Sequence, residues 1–214
     1  MSIKVYSRRQ LMIDTAAIKP YISNGLVFHL DGADATTTSW VDRVNNVTFD
    51  MYNVTCDGKG VYFNGSNSYG HSSTTVVYDY RTSTIEVVIR RTQASGFVFQ
   101  AINSNAIVYI SGAGNINFSF GAKRPNVTAN MQLNKTVTHS INFDRNYLNG
   151  TQYAFTTADS WGRQGTGTDI GRRGNGTYYF KGYMYQIRIY NRKLSDAEIL
   201  FNQEQDRKKY GIQF

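Results

Sequence analysis

Short runs of β-branched and aromatic residues, separated by turns rich in glycine and asparagine, recur along most of this sequence. The runs lie at 26–30, 47–52, 61–63, 84–92, 97–102, 106–111, 116–120, 127–133, 137–143 and 151–155. Runs of this length and spacing predict an all-β fold, a two-sheet antiparallel sandwich or jelly roll. The composition agrees, because 16 Tyr, 12 Phe and 19 Gly with only 2 Pro suit strands joined by tight turns. A chain of 214 residues suffices for one such domain.

The clearest single strand is predicted at 183–191, where side chains alternate along the chain. A period of two places Tyr185, Ile187 and Ile189 on one face. The opposite face then carries Met184, Gln186, Arg188 and Tyr190. We therefore expect Tyr185, Ile187 and Ile189 to be buried in the core.

A short C-terminal helix is predicted over 196–210. Ser195 can cap it, and Glu198 at the third helical position completes a capping box. Leu194 before the cap can pack on Ile199, and Gly211 is a plausible end.

Three segments carry a resemblance to a known family. The segment 169–201, DIGRRGNGTYYFKGYMYQIRIYNRKLSDAEILF, resembles the last core strand and following helix of laminin-G-like jelly-roll domains, in the concanavalin A-like lectin/glucanase superfamily. The segments GLVFHLDG at 25–32, followed by Trp40-Val41-Asp42, and GVYFNGSNSY at 60–69 resemble earlier strands of the same family. The resemblance implies a jelly-roll domain over 23–214.

Residues 1–22 are expected to form an N-terminal arm outside the sandwich, because their apolar positions follow neither a period of two nor one of 3.6. One interpretation is a flexible terminus or an extra edge strand. The other is an assembly arm that docks on another subunit.

No catalytic site is predicted. Glycoside hydrolases on the resembled fold carry closely spaced acids on one strand, since retaining chemistry needs two carboxyl groups about 5 Å apart. The matching strand here, 84–90, offers Glu86 alone, which we expect to be solvated. His29, His71 and His139 are far apart in the sequence. The chain is therefore not expected to be an enzyme.

Calcium is the cofactor that the resemblance implies, but the acids of the family pattern are replaced here. Asn64, Asn67 and Ser68 stand at one set of positions, and Tyr185 and Gln186 at the other. Calcium favours several oxygen ligands that include carboxylates, so the site should be severely weakened. Asn67 and Gln186 remain as degenerate calcium positions with neutral oxygens, and no cofactor is expected.

Sugar binding is a further hypothesis, because exposed aromatic rings can stack on the apolar faces of sugars. Tyr78, Tyr80, Tyr178 and Tyr179 lie beside polar loops and are the candidate carbohydrate-binding residues. The competing interpretation is that these tyrosines fill sheet faces, with the hydroxyl group reaching water.

The bulk features constrain partners. The net charge is +8, but the basic residues are scattered in pairs, which favours a solvated surface over a nucleic-acid site. Cys56 is the single cysteine, so neither an intrachain disulfide nor a cysteine-based zinc site can form.

The first 20 residues lack the apolar core of a signal peptide, and no run approaches the length of a membrane helix. Eight Asn-x-Ser/Thr sequons are interpreted as unmodified.

The leading functional hypothesis rests partly on resemblance, since 25–32 and 194–212 are similar to laminin-G-like domains in phage structural proteins. It is a non-enzymatic virion component that decorates a bacteriophage particle as a capsid decoration or head-fibre protein, assembled in the host cytoplasm. Its partners would be other virion proteins, through the arm, and host or mucosal glycans, and it could form a homo-oligomer. The alternative is a carbohydrate-binding module of a bacterial surface protein, located at the cell surface.

Overall fold

The computed structural model describes residues 17–74, 76, 82–101, 106–110, 116–120, 124–127, 131–142, 144–153, 155–158, 167–174 and 176–213. The strands among them are β1 (Leu26–Asp31), β2 (Ser39–Val41), β3 (Thr48–Tyr52), β4 (Thr55–Cys56), β5 (Val61–Asn64), β6 (Tyr69–Ser72), β7 (Thr84–Arg91), β8 (Gly96–Ala101), β9 (Ala106–Ile110), β10 (Ile116–Phe120), β11 (Arg124–Val127), β12 (Thr136–Asn142), β13 (Asn146–Leu148), β14 (Thr151–Gln152), β15 (Phe155–Ala158), β16 (Thr168–Ile170) and β17 (Lys181–Tyr190). The helix is α1 (Asp196–Tyr210).

The strands form two antiparallel sheets. Sheet A has the order β14-β13-β12-β7-β17-β5-β4, and β1 also pairs with β17, beyond the end of β5. Sheet B has the order β15-β11-β10-β9-β8-β16-β6-β3-β2. This is the predicted two-sheet jelly-roll sandwich with a short C-terminal helix, and the fold class is confirmed.

The core lies between the two sheets. It is rich in aromatic side chains, which include Phe28, Phe49, Phe63 and Phe99, all fully buried. Trp40 is also fully buried, and its indole Nε1 donates a hydrogen bond of 2.8 Å to the carbonyl of Asp31. The outer face of each sheet is the one turned away from the other sheet.

A β-bulge in β17 corrects one prediction. The pairing of β17 with β7 shifts between Met184 and Gln186, which leaves Tyr185 as an extra residue and reverses the alternation there. Met184 therefore joins Ile187 and Ile189 in the core. Tyr185 is only half-buried and its ring contacts those of Tyr183 and Tyr210, so the prediction that it belongs to the core was wrong.

The helix forms as its local signals predict. The Ser195 side chain accepts from the backbone N–H of Glu198, and the Glu198 carboxylate accepts from the backbone N–H of Ser195. Leu194 and Ile199 belong to one buried cluster with Tyr190 on the outer face of sheet A. Gly211 ends the helix in the left-handed conformation, with φ of 64°.

Two strand predictions differ from the structure. The run at 127–133 was predicted as a strand, but β11 covers Arg124–Val127 and residues 131–135 have no strand assignment. The run at 151–155 is divided between β14, in sheet A, and β15, in sheet B.

Most of the N-terminal segment, residues 1–16, lies outside the described residues. The part that follows lies against α1. The backbone N–H of Lys19 donates to Gln205 Oε1 at 2.7 Å, and that of Ile22 donates to Asn202 Oδ1 at 3.0 Å.

Among the described residues, α1 is too short and too polar to cross a membrane, and no other helix could do so.

Candidate functional site

A cross-strand row of polar side chains occupies the outer face of sheet B. The register pairs Asp50 of β3 with His71 of β6, His71 with Asp169 of β16, and Asp169 with Gln100 of β8. Their strand neighbours Met51, Gly70 and Ile170 pack together on the core side. The pairing of the strands brings these four residues together, and the alternation of side chains places them on the same face.

Asp169 is the anchor of this row. Its side chain is only 2% exposed, and its Oδ1 lies 2.8 Å from His71 Nδ1 and 3.5 Å from an Nη of Arg172. The His71 side chain is 36% exposed. Because Nδ1 faces Asp169, the other ring nitrogen, Nε2, is the group that His71 can offer to a ligand.

An aromatic stack lies beside the row, two residues away from Asp50 and His71 on the same strands, β3 and β6. The guanidinium of Arg172 lies over the ring of Tyr69, with its central carbon 3.4 Å from the ring centroid. Tyr69 in turn stacks on Tyr52, with centroids 4.5 Å apart and an angle of 18° between the rings. Tyr52 is 42% exposed, so this stack ends in an open aromatic surface.

A second aromatic group lies across β16 from the first, on β8, β9 and the segment that follows β16. Phe97 of β8 stacks on Tyr109 of β9 with centroids 5.4 Å apart, and it contacts Tyr178 at 5.8 Å. The guanidinium carbon of Arg173 lies 5.9 Å from the Phe97 centroid and 6.0 Å from that of Tyr178. Tyr178 is 57% exposed. The consecutive residues Arg172 and Arg173 therefore contact different aromatic groups.

The turn after β16 places both arginines. Gly171 has φ of +81°, and a Cβ added there would collide with the ring of Phe63. Its N–H donates to the carbonyl of Val98 at 3.0 Å, and its carbonyl accepts from Phe180 at 2.8 Å. The N–H of Gly174 donates to Gln100 Oε1 at 2.9 Å. The turn is thus fixed to β8 at both ends.

This arrangement, which we call the aromatic–polar face, combines two features of small-ligand sites. Aromatic rings offer flat apolar surfaces, and a few fixed polar groups between them give orientation. From β3 to β9 the face is roughly 19 Å wide, because neighbouring strands lie about 4.8 Å apart. That width suits an oligosaccharide better than a single sugar.

Comparison with family models gives a match over residues 64–200, to the laminin-G model described as the concanavalin A-like lectin/glucanases superfamily. The match covers more than half of the chain. The chain belongs to this family. The resemblance in the sequence is thereby confirmed, and the aromatic–polar face is a surface of a laminin-G-like domain.

Solved structures show the same fold. Trypanosoma rangeli sialidase in complex with sialic acid matches with a TM-score of 0.62 and 16% identity, over 86% of this chain and 33% of the sialidase. The binding domain of botulinum neurotoxin serotype D matches with a TM-score of 0.60 and 14% identity, over 84% of this chain and 51% of that domain. The laminin-G-like chain thus spans a third to a half of these neighbours, and such identities show the fold alone. A search among curated proteins finds no significant match.

The structure places the four predicted carbohydrate-binding tyrosines differently. Tyr178 belongs to the aromatic–polar face. Tyr179 beside it is half-buried, and its carbonyl accepts from Gln93 Nε2 at 2.6 Å. Tyr78 and Tyr80 lie outside the described residues.

The structure does not bring the two degenerate calcium positions together. Asn67 lies in the exposed turn after β5, where its Oδ1 accepts from Asn64 Nδ2 at 2.7 Å. Gln186 is fully buried beneath α1, and its Oε1 accepts from an Nη of Arg188 at 2.5 Å. In the described part of the chain, no group of three His, Cys, Asp or Glu side chains could hold a metal.

Glu86 is not solvated as expected, and that prediction was wrong. It is fully buried between sheet A and α1. Its Oε1 accepts from Ser140 Oγ at 2.8 Å, while its Oε2 accepts from Arg188 Nε and Asn202 Nδ2, both at 2.9 Å. Arg188 also donates to both oxygens of Asp206, at 2.9 and 2.7 Å. The helix α1 covers this part of the outer face of sheet A. It therefore buries Glu86, which the alternation of the strand alone would place in solvent.

Sequence reasoning missed most of the aromatic–polar face. Its members come from separate strands and from a turn: Tyr52, Tyr69, His71, Phe97, Gln100, Tyr109, Asp169, Arg172 and Arg173. The available signal was the Arg172-Arg173 pair just before an exposed aromatic run. The strand register that places Tyr69 and Phe97 on either side of that pair had no counterpart in the sequence.

Proposed function

We propose that this chain is a non-enzymatic carbohydrate-binding domain whose binding surface is the aromatic–polar face. The observation that carries the proposal is the pair of aromatic groups, Tyr52–Tyr69 and Phe97–Tyr109–Tyr178, which contact Arg172 and Arg173 beside the His71–Asp169 pair. The exposed rings of Tyr52 and Tyr178 would stack on apolar sugar faces, and the more buried rings beneath them hold them in place. His71 and the arginines would bind hydroxyl groups between them.

Binding rather than hydrolysis is supported by the state of Glu86. Glycoside hydrolysis in its common forms needs two carboxyl groups that flank the scissile bond. Glu86 has both oxygens engaged by protein donors and no exposed surface. It therefore has no access to a substrate.

A more specific role follows as part of the same proposal. The domain decorates a bacteriophage particle, and the N-terminal segment binds another virion protein. This role is supported by the similarity of 25–32 and 194–212 to domains of phage structural proteins. The alternative setting is a bacterial surface protein. Quantitative mass spectrometry of purified particles separates the two: a fixed, high stoichiometry supports the virion role, and absence from intact particles contradicts it.

Carbohydrate binding is tested by a glycan array with the wild-type chain and two variants. Tyr178→Ala and Tyr52→Ala each remove an exposed ring, and each should weaken glycan binding about tenfold if the ring contributes about 1.4 kcal/mol. Leu200→Ala, at a side chain 40% exposed on α1, is the matched control and should bind as wild type.

Three results would contradict the proposal. The first is an array on which no glycan binds, and the second is an array on which both tyrosine variants bind as wild type. The third is turnover of a bound glycoside, because the site would then be catalytic.

A further inference from the structure

A polar cavity of about 710 Å³ lies at the end of sheet A, where β7 ends and β12 begins. It is distinct from the aromatic–polar face, which belongs to sheet B. Its apolar lining includes Val137, Leu148 and Ile212, all nearly fully buried. Its polar lining includes Gln132, Asn149 and Thr151. An apolar floor with amide and hydroxyl groups around it suits a sugar ring.

The charged residues of the lining are all basic. They are Arg90 and Lys135, and no described Asp or Glu lines the cavity. Nε of Arg90 is enclosed and has no hydrogen-bond acceptor among the described residues. A carboxylate in the cavity that reaches the guanidinium of Arg90 would form a charge-assisted hydrogen bond. This charge pattern selects for an anion.

The segment that forms one wall is held in place. Arg91 donates from Nε to the carbonyl of Met131 at 2.8 Å, and also from one Nη to the same carbonyl. The N–H of Asn134 donates to the carbonyl of Arg91 at 2.9 Å. The segment that carries Gln132 and Lys135 is therefore fixed to the end of β7, and the cavity does not depend on a free loop.

A row of tyrosines adjoins the cavity on the outer face of sheet A. The guanidinium carbon of Arg90 lies 6.0 Å from the ring centroid of Tyr183. The Tyr183 ring is 5.0 Å from that of Tyr62 and is stacked 5.9 Å from that of Tyr185. All three rings are partly exposed. They form an aromatic surface beside the basic lining.

We propose that this cavity is a second binding site, specific for an acidic sugar. The carboxylate of the sugar binds Arg90 and Lys135, and the hydroxyl groups bind Gln132, Asn149 and Thr151. The neighbouring unit of the same oligosaccharide stacks on Tyr183 and Tyr62. The domain would thus bind glycans on two sheets, with separate chemistry on each.

The test uses a galacturonic acid tetrasaccharide and its fully methyl-esterified form, which keeps the sugar backbone and removes the charge. Binding is measured by amide NMR titration of the whole chain in low-salt buffer. The acid form should bind at least about tenfold more tightly than the ester, as a hydrogen bond to a charged group implies. Arg90→Gln should weaken binding of the acid form about tenfold. Lys135→Gln, at an exposed position, should weaken it about threefold.

Lys59→Gln is the matched control, because it removes one exposed positive charge in the turn between β4 and β5. It should leave the affinity unchanged, and so should Tyr178→Ala on the other sheet. Equal affinities for acid and ester would overturn this proposal, as would a loss in Lys59→Gln equal to that in Lys135→Gln. Loss of tetrasaccharide binding in Tyr178→Ala would show that the acidic glycan binds at the aromatic–polar face. That result would overturn the second site and leave the proposed function intact.

Discussion

The guanidinium of Arg172 covers the ring of Tyr69 at 3.4 Å from its centroid, and the same group reaches the buried Asp169 at 3.5 Å. The arginine therefore joins the aromatic stack to the polar row. A cation over a ring is attracted to its negatively charged face, and its hydrogen-bonding edge remains directed at the acid. The aromatic–polar face is thus organised before any ligand arrives.

Arg172→Lys tests that connection. Lysine keeps the charge beside Asp169 but loses the planar group that lies on Tyr69. We expect the free energy of unfolding to fall by about 1 kcal/mol or less, because the cation–π contact at a partly exposed site is of that size. Glycan affinity should fall clearly more than for Leu200→Ala. Urea unfolding measures the change in stability, and the glycan array measures the change in affinity. Unchanged glycan affinity would show that Arg172 does not contribute to binding.

Arg188→Met should strongly destabilise the fold. Arg188 pairs with Glu86 at 2.9 Å and with Asp206 at 2.7 Å, and all three side chains are fully buried. The substitution leaves two buried carboxylates without their cation, which costs about 3–5 kcal/mol. Chemical denaturation measures the loss.

A matched triple variant checks the cause. Arg188→Met combined with Glu86→Met and Asp206→Leu removes every charge of the network and fills similar volume with apolar groups. It should recover much of the lost stability, because a buried ion pair contributes little more than well-packed apolar side chains. A triple variant no more stable than Arg188→Met would show that the charges themselves hold α1 to sheet A.

Stability should decline as the pH falls from about 6.5 to about 4, in part because of His29. Burial lowers the pKa of His29 from 6.5 to about 4, while Gln186 Oε1 lies 3.2 Å from its Nε2. In that window the unfolded chain binds a proton that the folded chain does not, so acid favours unfolding. The stabilisation that neutral His29 contributes to the folded state is fully present above pH 6.5. It is lost as the pH falls toward about 4, the pKa of His29 in the folded protein.

His29→Gln isolates this contribution. Between pH 6.5 and 4, the free energy of unfolding of the variant should change less steeply with pH than that of the wild type. The two slopes should differ by up to about 1.4 kcal/mol per pH unit. Burial also lowers the pKa of His139 to about 4, so some dependence remains in the variant. Parallel pH profiles for wild type and variant would contradict the buried neutral His29.

Ile187→Asp should prevent soluble folding, because it places an unpaired charge between the two sheets. Tyr185→Asp is a matched control on the same strand. The bulge turns position 185 away from the core, toward a partly exposed surface. We expect this variant to remain soluble and to melt cooperatively. Circular dichroism melts of both variants test the bulge, and a soluble Ile187→Asp protein would refute the orientation of β17.

Local signals in the sequence predicted what is local in the fold. The helix followed from Ser195, Glu198 and Gly211, which act within a few residues of one another. The bulge at Tyr185 did not follow, because it depends on pairing with β7 rather than on the sequence of β17. The burial of Glu86 depends on α1, more than 100 residues later in the chain.

Local sequence signals likewise predicted only part of the candidate site. Exposed Tyr178 was recognisable beside a glycine-rich turn. Its partners Phe97 and Tyr109 depend on how β8 pairs with β9, and the meeting of His71 with Asp169 depends on a pairing across nearly 100 residues. A period of two identifies which residues share a face of one strand, but not which strands are neighbours.

Mapping the bound glycan on the protein tests the aromatic–polar face most directly. An isotope-labelled chain would be titrated with the strongest neutral glycan from the array, and the shifts of backbone amides followed by NMR. We expect the shifts to concentrate at β6, β8 and the segment 169–174, and Tyr178→Ala should reduce them all. Shifts confined to the turn at Asn64 to Asn67, or spread over sheet A alone, would contradict this expectation.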